Sequence, residues 1–134
     1  MRVLVMAIAL LLAGCGFPVR DQEVDGPYRI WAADDPEDRH LSYQLADGNG
    51  IGRVGATVVE VGHDERYITV VRRPRSEPST TEYFYVVRAL DGPSVPPEAL
   101  KGPFDRAAYE VEAAHLKKLK TGSDVLMALP AEAF

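Results

Sequence analysis

Short apolar runs recur along the chain between residues 28 and 88, and their length predicts β-strands. β-Branched and aromatic residues, which favour strands, dominate these segments. Stretches rich in glycine, proline and charged residues separate them and predict turns and exposed loops. Five strands are predicted in this way, over residues 28–32, 41–45, 57–61, 67–71 and 83–88.

The strand over residues 83–88 is apolar on both faces, with tyrosines on one face and Phe84 and Val86 on the other. A strand of this kind needs cover on both sides. We therefore expect it to lie at the centre of the sheet beside the hairpin of residues 57–71, whose loop is 62–66. We expect the aromatic residues of these strands to lie mainly in the core, with a tyrosine row exposed to a partner as the alternative: Tyr67, Tyr83, Phe84 and Tyr85.

A helical pattern follows near the C-terminus. Pro103 at the first helical position, Asp105 in the first turn and Gly122 beyond the last turn mark its expected ends. Five residues form one stripe on a helical wheel, and this stripe is expected to cover the sheet: Phe104, Ala108, Val111, His115 and Leu119. Residues 125–129 are apolar enough for a short last strand or for a packed strap, and both alternatives stay open.

The predicted fold is therefore α+β, an antiparallel β-meander of about five strands with one C-terminal amphipathic helix packed on the sheet.

The N-terminus has the pattern of an export signal, with a basic start at Arg2, an apolar run over residues 3–12 and the chain's one cysteine, Cys15. The run is shorter than the roughly 20 apolar residues of a membrane-spanning helix. Leu12-Ala13-Gly14-Cys15 resembles the lipobox of bacterial lipoproteins. The resemblance implies that the Cys15 thiol receives a diacylglycerol, that cleavage follows Gly14, and that the new N-terminus is acylated, so that palmitate is incorporated. The alternative is an ordinary secretory signal cut before a free cysteine.

The lipobox implies three parts of the chain: a signal peptide over residues 1–14, a lipidated tether over residues 15–26, and a single α+β domain over residues 27–134. It also implies a lipid-anchored protein of the bacterial cell envelope, with the lipid bilayer as a partner through acylated Cys15. Gly16 is not the aspartate that retains such lipoproteins at the inner membrane. The outer membrane is therefore favoured if the source has two membranes.

The net charge of the chain argues against some classes of binding partner. Twenty acidic residues against 15 basic residues give a net charge of −5, and no lysine and arginine cluster forms a basic surface in the sequence. This balance argues against nucleic acid as a partner and against flat binding on anionic lipid. Acyl chains rather than surface charge would hold the protein to its membrane.

Metal-binding patterns are weak. The acidic run over residues 34–38 lacks the alternating ligands and the glycine of an EF-hand loop, so a solvated turn is predicted. His40, His63 and His115 are not spaced four residues apart, and no second cysteine is available, so no metal site is predicted. His115 is expected as a half-buried filler on the helix stripe. His63 precedes Asp64 in a tight turn, where aspartate suits the backbone.

A glycine motif follows the strand predicted over residues 41–45. Residues 50–55 match the G-x-G-x-x-G dinucleotide fingerprint. That motif binds pyrophosphate only where it opens a helix, and here a β-branched run follows it. A glycine-containing turn between strands is predicted instead. Without a G-x-S-x-G or phosphate-loop motif, no catalytic residue and no cofactor-binding residue is predicted.

The order of the segments is also similar to that of a family of small uncharacterised bacterial lipoproteins. The similarity covers most of the chain after Cys15 and consists of fold-forming positions, so it implies no catalytic or ligand-binding residue. The longer proline-rich stretch before the helix departs from that family. The segments that carry the similarity are Gly26-Pro27-Tyr28, Val58-x-x-Val61-Gly62-x-Asp64-x-x-Tyr67-Ile68-x-Val70, Tyr83-Phe84-Tyr85-Val86-Val87 and Gly102-Pro103-Phe104.

Three functional hypotheses follow from the sequence. The first is a membrane-anchored envelope lipoprotein that acts as a non-catalytic binding or accessory module, with an envelope protein of unknown identity as its partner. The second is an inhibitor or small-ligand-binding lipoprotein that acts on an envelope enzyme through a proline-rich loop. An enzyme of unknown type is third, because no nucleophile, base and metal set converges in the sequence.

Overall fold

The computed structural model of the chain describes residues 20–33, 35–94, 98–119 and 127–128. The signal peptide and Cys15 lie outside these residues. Within them the chain forms two antiparallel β-sheets and one C-terminal helix, which agrees with the predicted α+β class. No helix in the described part of the chain is long and apolar enough to cross a bilayer.

The first sheet contains four strands that pair in chain order. They are β1 (Arg20–Asp25), β2 (Tyr28–Ala32), β3 (His40–Gln44) and β4 (Gly50–Val54). A short 3-10 helix, Pro36–Asp38, connects β2 to β3, and the side chain of Asp35 caps it by accepting a hydrogen bond from the Glu37 amide.

The second sheet contains five strands and has the order β8-β7-β6-β5-β9. These are β5 (Val58–His63), β6 (Tyr67–Arg72), β7 (Glu82–Val87), β8 (Leu100–Phe104) and β9 (Met127–Ala128). The strands β6 and β7 lie at its centre, and β5 pairs with β6, as the apolar pattern predicted. The helix α1 (Arg106–Leu119) follows β8.

The main core lies where the two sheets face each other. Alternation places one set of apolar side chains from each strand on this side, because neighbouring residues of a strand point to opposite faces. The first sheet contributes Tyr28, Ile30 and Leu41, and the second contributes Ile68 and Val86, among others. Such apolar burial is the main favourable term in folding.

A second, smaller core lies between the opposite face of the second sheet and α1. Tyr67, Tyr85 and Leu116 are buried there. The Tyr85 hydroxyl donates a hydrogen bond to Glu112 Oε2 at 2.8 Å, and Tyr83 stacks on Tyr109 with ring centroids 4.9 Å apart. Burial and the neighbouring carboxylate raise the pKa of Tyr85. The strand β7 is thus covered on both faces, as predicted.

A buried ion pair joins the first sheet to the loop after β7. Arg53 Nη2 lies 2.9 Å from Asp91 Oδ1, and their side chains are 2% and 0% exposed. The Tyr28 hydroxyl donates to the same carboxylate at 2.9 Å, and Arg53 donates to the Gly92 carbonyl oxygen at 2.6 Å. Burial, together with the bond to Asp91, raises the pKa of Tyr28. The register of β3 and β4 shifts at this point, leaving Arg53 and Val54 both buried.

The prediction of about five strands in a single meander is wrong, because nine strands in two sheets occur among the described residues. The strand β1 forms within the predicted tether, and β4 forms where a glycine turn was predicted. Both are edge strands of the first sheet, and backbone hydrogen bonds can hold an edge strand that has few apolar side chains. The open question about residues 125–129 is answered in part, since Met127–Ala128 pairs with β5 as a short strand.

The predicted packing face of the helix is also wrong for Ala108, Val111 and His115, although Phe104, which lies in β8, packs against the smaller core. Val111 is 71% exposed, and Ala108 and His115 are exposed as well. The buried side of α1 instead presents Leu116, which contacts the tyrosines of the second sheet. Tyr109, Glu112 and Leu116 form a second stripe with helical spacing, and their side chains contact the tyrosines of the second sheet.

The start of the helix differs from the prediction as well. Pro103 and Phe104 belong to β8, so Pro103 is not the first helical residue. Asp105 lies just before the helix, and its carboxylate accepts a hydrogen bond from the Ala108 amide at 2.8 Å, which is an N-cap. The predicted cap Gly122 lies outside the described residues, and the side chain of Leu119 is not described.

We expect Asp91→Ala to lower the free energy of unfolding by about 3–5 kcal/mol, because Arg53 would remain buried without its carboxylate. Replacing both partners, in Arg53→Met with Asp91→Leu, should cost much less. Urea unfolding of the full chain, followed by circular dichroism, measures both changes. Glu110→Ala removes a carboxylate from the exposed pair with Arg106 and serves as the control, with an expected change within about 0.5 kcal/mol. Equal effects of Asp91→Ala and Glu110→Ala would contradict the structural role of the buried pair.

The two faces of α1 provide a second stability test. Leu116→Ala should cost about 2–4 kcal/mol, because it leaves a cavity against Tyr67 and Tyr85. Val111→Ala should change the free energy of unfolding by no more than about 0.5 kcal/mol, since Val111 faces solvent. The same urea experiment compares the two variants, and a larger cost for Val111→Ala would show that the opposite face is packed.

Candidate functional site

The outer face of the first sheet, which points away from the core, carries a cleft of about 290 Å³. Four strands and the β3–β4 loop contribute to it. Its walls combine one large aromatic ring with polar side chains and glycines. The lining residues are Asp21, Arg29, Trp31, His40, Ser42, Gln44, Gly48, Asn49 and Gly50. We refer to it as the Trp31 cleft.

Strand register brings the lining residues together. Trp31 pairs with Asp21 on one side and with His40 on the other, and directly paired residues point to the same face of a sheet. Arg29 pairs with Ser42 in the same way. The residues between them, such as Ile30 and Leu41, point into the core. The alternation that builds the core therefore also builds the cleft.

Trp31 and His40 form the aromatic part of the cleft. Their ring centroids lie 5.0 Å apart with planes at 72°, an edge-to-face arrangement. His40 Nδ1 lies 3.0 Å from the Asp38 carbonyl oxygen. Because a carbonyl only accepts, we assign the proton to Nδ1, so that Nε2 of the neutral ring is an acceptor.

An ion pair lies at one side of the cleft. Arg29 Nε donates to Asp21 Oδ1 at 2.5 Å, and the two side chains are 23% and 39% exposed. The bond to Asp21 raises the pKa of Arg29, so the guanidinium remains charged. Because the carboxylate neutralises this charge locally, the pair adds polarity to the cleft without net charge.

The β3–β4 loop forms another wall and is held by its own side chains. Asp47 accepts hydrogen bonds from the Asn49 backbone amide at 2.9 Å and from Asn49 Nδ2 at 3.0 Å. These bonds, the backbone one first, lower the pKa of Asp47. Gly48 has a φ of +88°, a conformation that side chains disfavour, so glycine suits this position. The loop therefore holds Asn49 in a defined orientation beside the cleft.

Gly50 leaves the cleft open. A Cβ atom at this position would lie 3.3 Å from Ser42 Oγ, whereas a Cβ atom at Gly52, two residues along the same strand, would meet nothing within 4 Å. The two glycines lie on the same face of β4. Alanine at Gly50 would therefore crowd the cleft, whereas alanine at Gly52 would not, and the two substitutions form a matched pair.

The cleft contains a serine and a histidine, but they do not form a nucleophile and base. Ser42 and His40 lie two residues apart on one face of β3, a separation of about 7 Å along a strand. No hydrogen bond joins their side chains in the described structure, whereas an activated serine needs its base within hydrogen-bond reach.

The other two histidines lie elsewhere. His63 is at the exposed end of β5, with Nδ1 3.9 Å from Asp25 Oδ2. His115 is exposed on α1, so its prediction as a half-buried filler is wrong. The carboxylate of Asp64 accepts hydrogen bonds from the Arg66 and Tyr67 amides, each at 2.7 Å, which confirms its predicted role in the turn.

The aromatic residues considered for recognition lie in the two cores. Phe84 packs between the sheets, and Tyr67 and Tyr85 are buried under α1. The alternative of a tyrosine row exposed to a partner is therefore wrong for Tyr67 and Tyr85, which the helix covers, whereas Tyr83 is half-buried and stacks on Tyr109. Sequence reasoning instead missed Trp31. The signal was present, since Tyr28, Ile30 and Ala32 occupy one face of β2 and place Trp31 on the polar face.

A second groove, of about 400 Å³, lies between the turn at residues 36–38 and the loop after β6. Arg39, Arg73 and Arg75 line it together with Glu37. Arg75 is already paired with Asp35 and Asp38, which tie the loop to the turn. The acidic turn that was predicted to be solvated is thus paired with Arg75. None of the described residues that line this groove is aromatic.

The glycine motif and the acidic run were the sequence candidates for ligands. Residues 50–54 form a strand and β5 follows, so the glycine motif opens no helix. No group of three or more metal-ligating side chains is found among the residues that the structure describes. The chain was also compared with protein-family models, curated proteins and solved structures, and none of the three comparisons gave a match.

Proposed function

We propose that the protein is a membrane-anchored lipoprotein of the bacterial cell envelope that acts as a non-catalytic binding module, and that the Trp31 cleft is its binding site. The observation that carries this proposal is the aromatic ring set among polar side chains, two of which are charged and paired with each other, on the solvent face of the first sheet. Binding sites combine an apolar surface with a few placed polar groups in this way.

The position of the cleft on strands supports a binding role. Three of its side chains belong to neighbouring strands at adjacent register positions, Asp21, Trp31 and His40. The inner faces of these strands are packed against the second sheet. Sites on such elements are held more accurately than sites on loops, so the ligand meets a pre-formed surface.

The size of the cleft favours a small occupant. Its volume of about 290 Å³ is at the lower end of the range of ligand sites, about 300–1,000 Å³. A small molecule, or one unit of a longer molecule, fits this space. The same observation favours the small-ligand-binding lipoprotein, the second hypothesis, over an inhibitor that acts through a proline-rich loop.

The proposed anchor would keep the cleft near the membrane. Asp21 lines the cleft and lies only six residues after Cys15. Six residues span at most about 20 Å when fully extended. A ligand of this site would therefore have to be present close to the membrane surface.

The anchor itself is tested by lipid labelling. Cys15→Ser should abolish palmitate incorporation and cause uncleaved precursor to accumulate, because thioether formation needs the thiol. Gly16→Ala, which changes the next residue but keeps the lipobox, should still be labelled. Palmitate label on the Cys15→Ser chain would contradict the anchor.

The binding role is tested by protection of the cleft from a thiol reagent. In Gln44→Cys, a maleimide should label the purified full chain readily but label the same chain more slowly in isolated envelopes, where the ligand is present. Ligand at about ten times the dissociation constant of the Gln44→Cys chain itself would slow labelling about tenfold, since only the free cleft reacts. Val111→Cys, on the exposed face of α1, is the control and should react equally in both preparations. Equal rates for Gln44→Cys in both would count against the binding role.

A further inference from the structure

The charge of the Trp31 cleft limits the class of ligand it can hold. Its two ionised side chains, Arg29 and Asp21, are paired with each other at 2.5 Å. A ligand carboxylate or phosphate would have to displace Asp21 from Arg29. Glu23 lies opposite Arg29 on the adjacent strand and adds a further negative charge beside the site. Anions therefore gain little here.

A cationic ligand gains little as well. Asp21 already accepts its hydrogen bond from Arg29, and Arg29 would repel an incoming cation at close range. Glu23 is exposed and does not line the cleft, so water screens its attraction for a cation inside it. The remaining polar groups of the cleft are uncharged amides, a hydroxyl and an imidazole. The ligand that suits the cleft therefore carries no net charge.

The neutral groups offer hydrogen bonds of both kinds. Ser42 has a hydroxyl and Gln44 an amide, each of which can donate and accept. Asn49 donates through Nδ2 to Asp47, which leaves its carbonyl oxygen as an acceptor. His40 is tied through Nδ1, which leaves Nε2 as an acceptor when the ring is neutral. A ligand with several hydroxyl groups can satisfy such a mixed set, because each hydroxyl both donates and accepts.

The Trp31 ring supplies the apolar surface of the cleft. Trp31 is a large apolar surface with one polar N–H group, and it lies among these donors and acceptors. A sugar ring has hydroxyl groups around its edge and C–H groups on its face, so it combines the polar and apolar surfaces that the cleft requires. A peptide would present fewer hydroxyl groups per unit of volume.

We propose that the Trp31 cleft binds an uncharged sugar unit of an envelope glycan, with the sugar face against Trp31 and its hydroxyl groups toward Ser42 and Gln44. This inference rests on the proposed function and specifies its ligand class. The small volume of the cleft matches recognition of a short stretch of a longer glycan.

Trp31 is the only tryptophan of the chain, so its fluorescence reports on the cleft directly. The experiment titrates the full chain, in a detergent without a sugar headgroup, with four trimers: the neutral sugars chitotriose and maltotriose, the anionic sugar trigalacturonate, and trialanine. We expect a saturable change in Trp31 emission with at least one neutral sugar. Half-saturation by trigalacturonate or trialanine should need at least about ten times more ligand, the equivalent of one or two lost hydrogen bonds.

Substitutions of cleft residues test whether the change in Trp31 emission comes from sugar bound in the cleft. Gln44→Ala and Gly50→Ala should each raise the half-saturating concentration of the neutral sugar about three- to tenfold, the first by removing an amide and the second by crowding Ser42. Gly52→Ala adds the same methyl group to open space on the same strand and should leave the titration unchanged. An unaltered titration in both Gln44→Ala and Gly50→Ala would place the sugar outside the cleft and overturn the inference.

The outcomes separate this inference from the proposed function. A stronger response to trialanine or trigalacturonate would overturn the sugar class while the binding role stands. No response to any of the four trimers, with Gln44→Cys still protected in envelopes, would likewise reject the sugar and keep the binding module. Loss of that protection would reject the binding module itself.

Discussion

The buried pair of Arg53 and Asp91 is the interaction on which the arrangement of the two sheets depends. Arg53 follows the outward-facing Gly52, so alternation along β4 places it on the inner side of the sheet, where its guanidinium meets a carboxylate from the loop after β7. Tyr28, at the start of β2, donates to the same carboxylate. Two strands of the first sheet are thereby tied to a loop of the second. Because a buried charge is tolerated only with its partner, the network favours one relative position of these three segments.

The same sheet that closes the core presents the candidate site. On β2 and β3 every second side chain is apolar and packs inward, while the alternate ones line the Trp31 cleft. The packed inner face holds the strands still, so the outer face keeps its register. The polar groups of the cleft are also tied to their surroundings, His40 to the Asp38 carbonyl and Asn49 to Asp47. This combination supports a proposal of binding to a pre-formed surface, in which little ordering of side chains opposes association.

Two ion pairs that involve strands of the first sheet, Arg53–Asp91 and Arg29–Asp21, have different consequences because they differ in exposure. Arg53 and Asp91 are excluded from solvent, so their separation would be costly. Arg29 and Asp21 are partly exposed, so their pair contributes little stability. Its main effect is on the field of the cleft, which it leaves without net charge. The proposed preference for an uncharged ligand follows from this local neutralisation.

The sequence by itself determined the strands β2, β3, β5, β6 and β7, because each is a short apolar run with β-branched or aromatic residues between polar, glycine-containing or proline-containing segments. It also predicted the role of Asp64 in its turn, whereas it placed Asp105 inside the first helical turn rather than at the cap before α1. Only the tertiary structure decided that Leu116 rather than Val111 packs on the sheet, because both stripes have helical spacing and the tyrosines beneath select between them. Strands β1 and β4 likewise depend on neighbours, whose backbone groups hold them. The cleft could not be located from any one segment, because it exists only where four strands bring distant polar residues to one face.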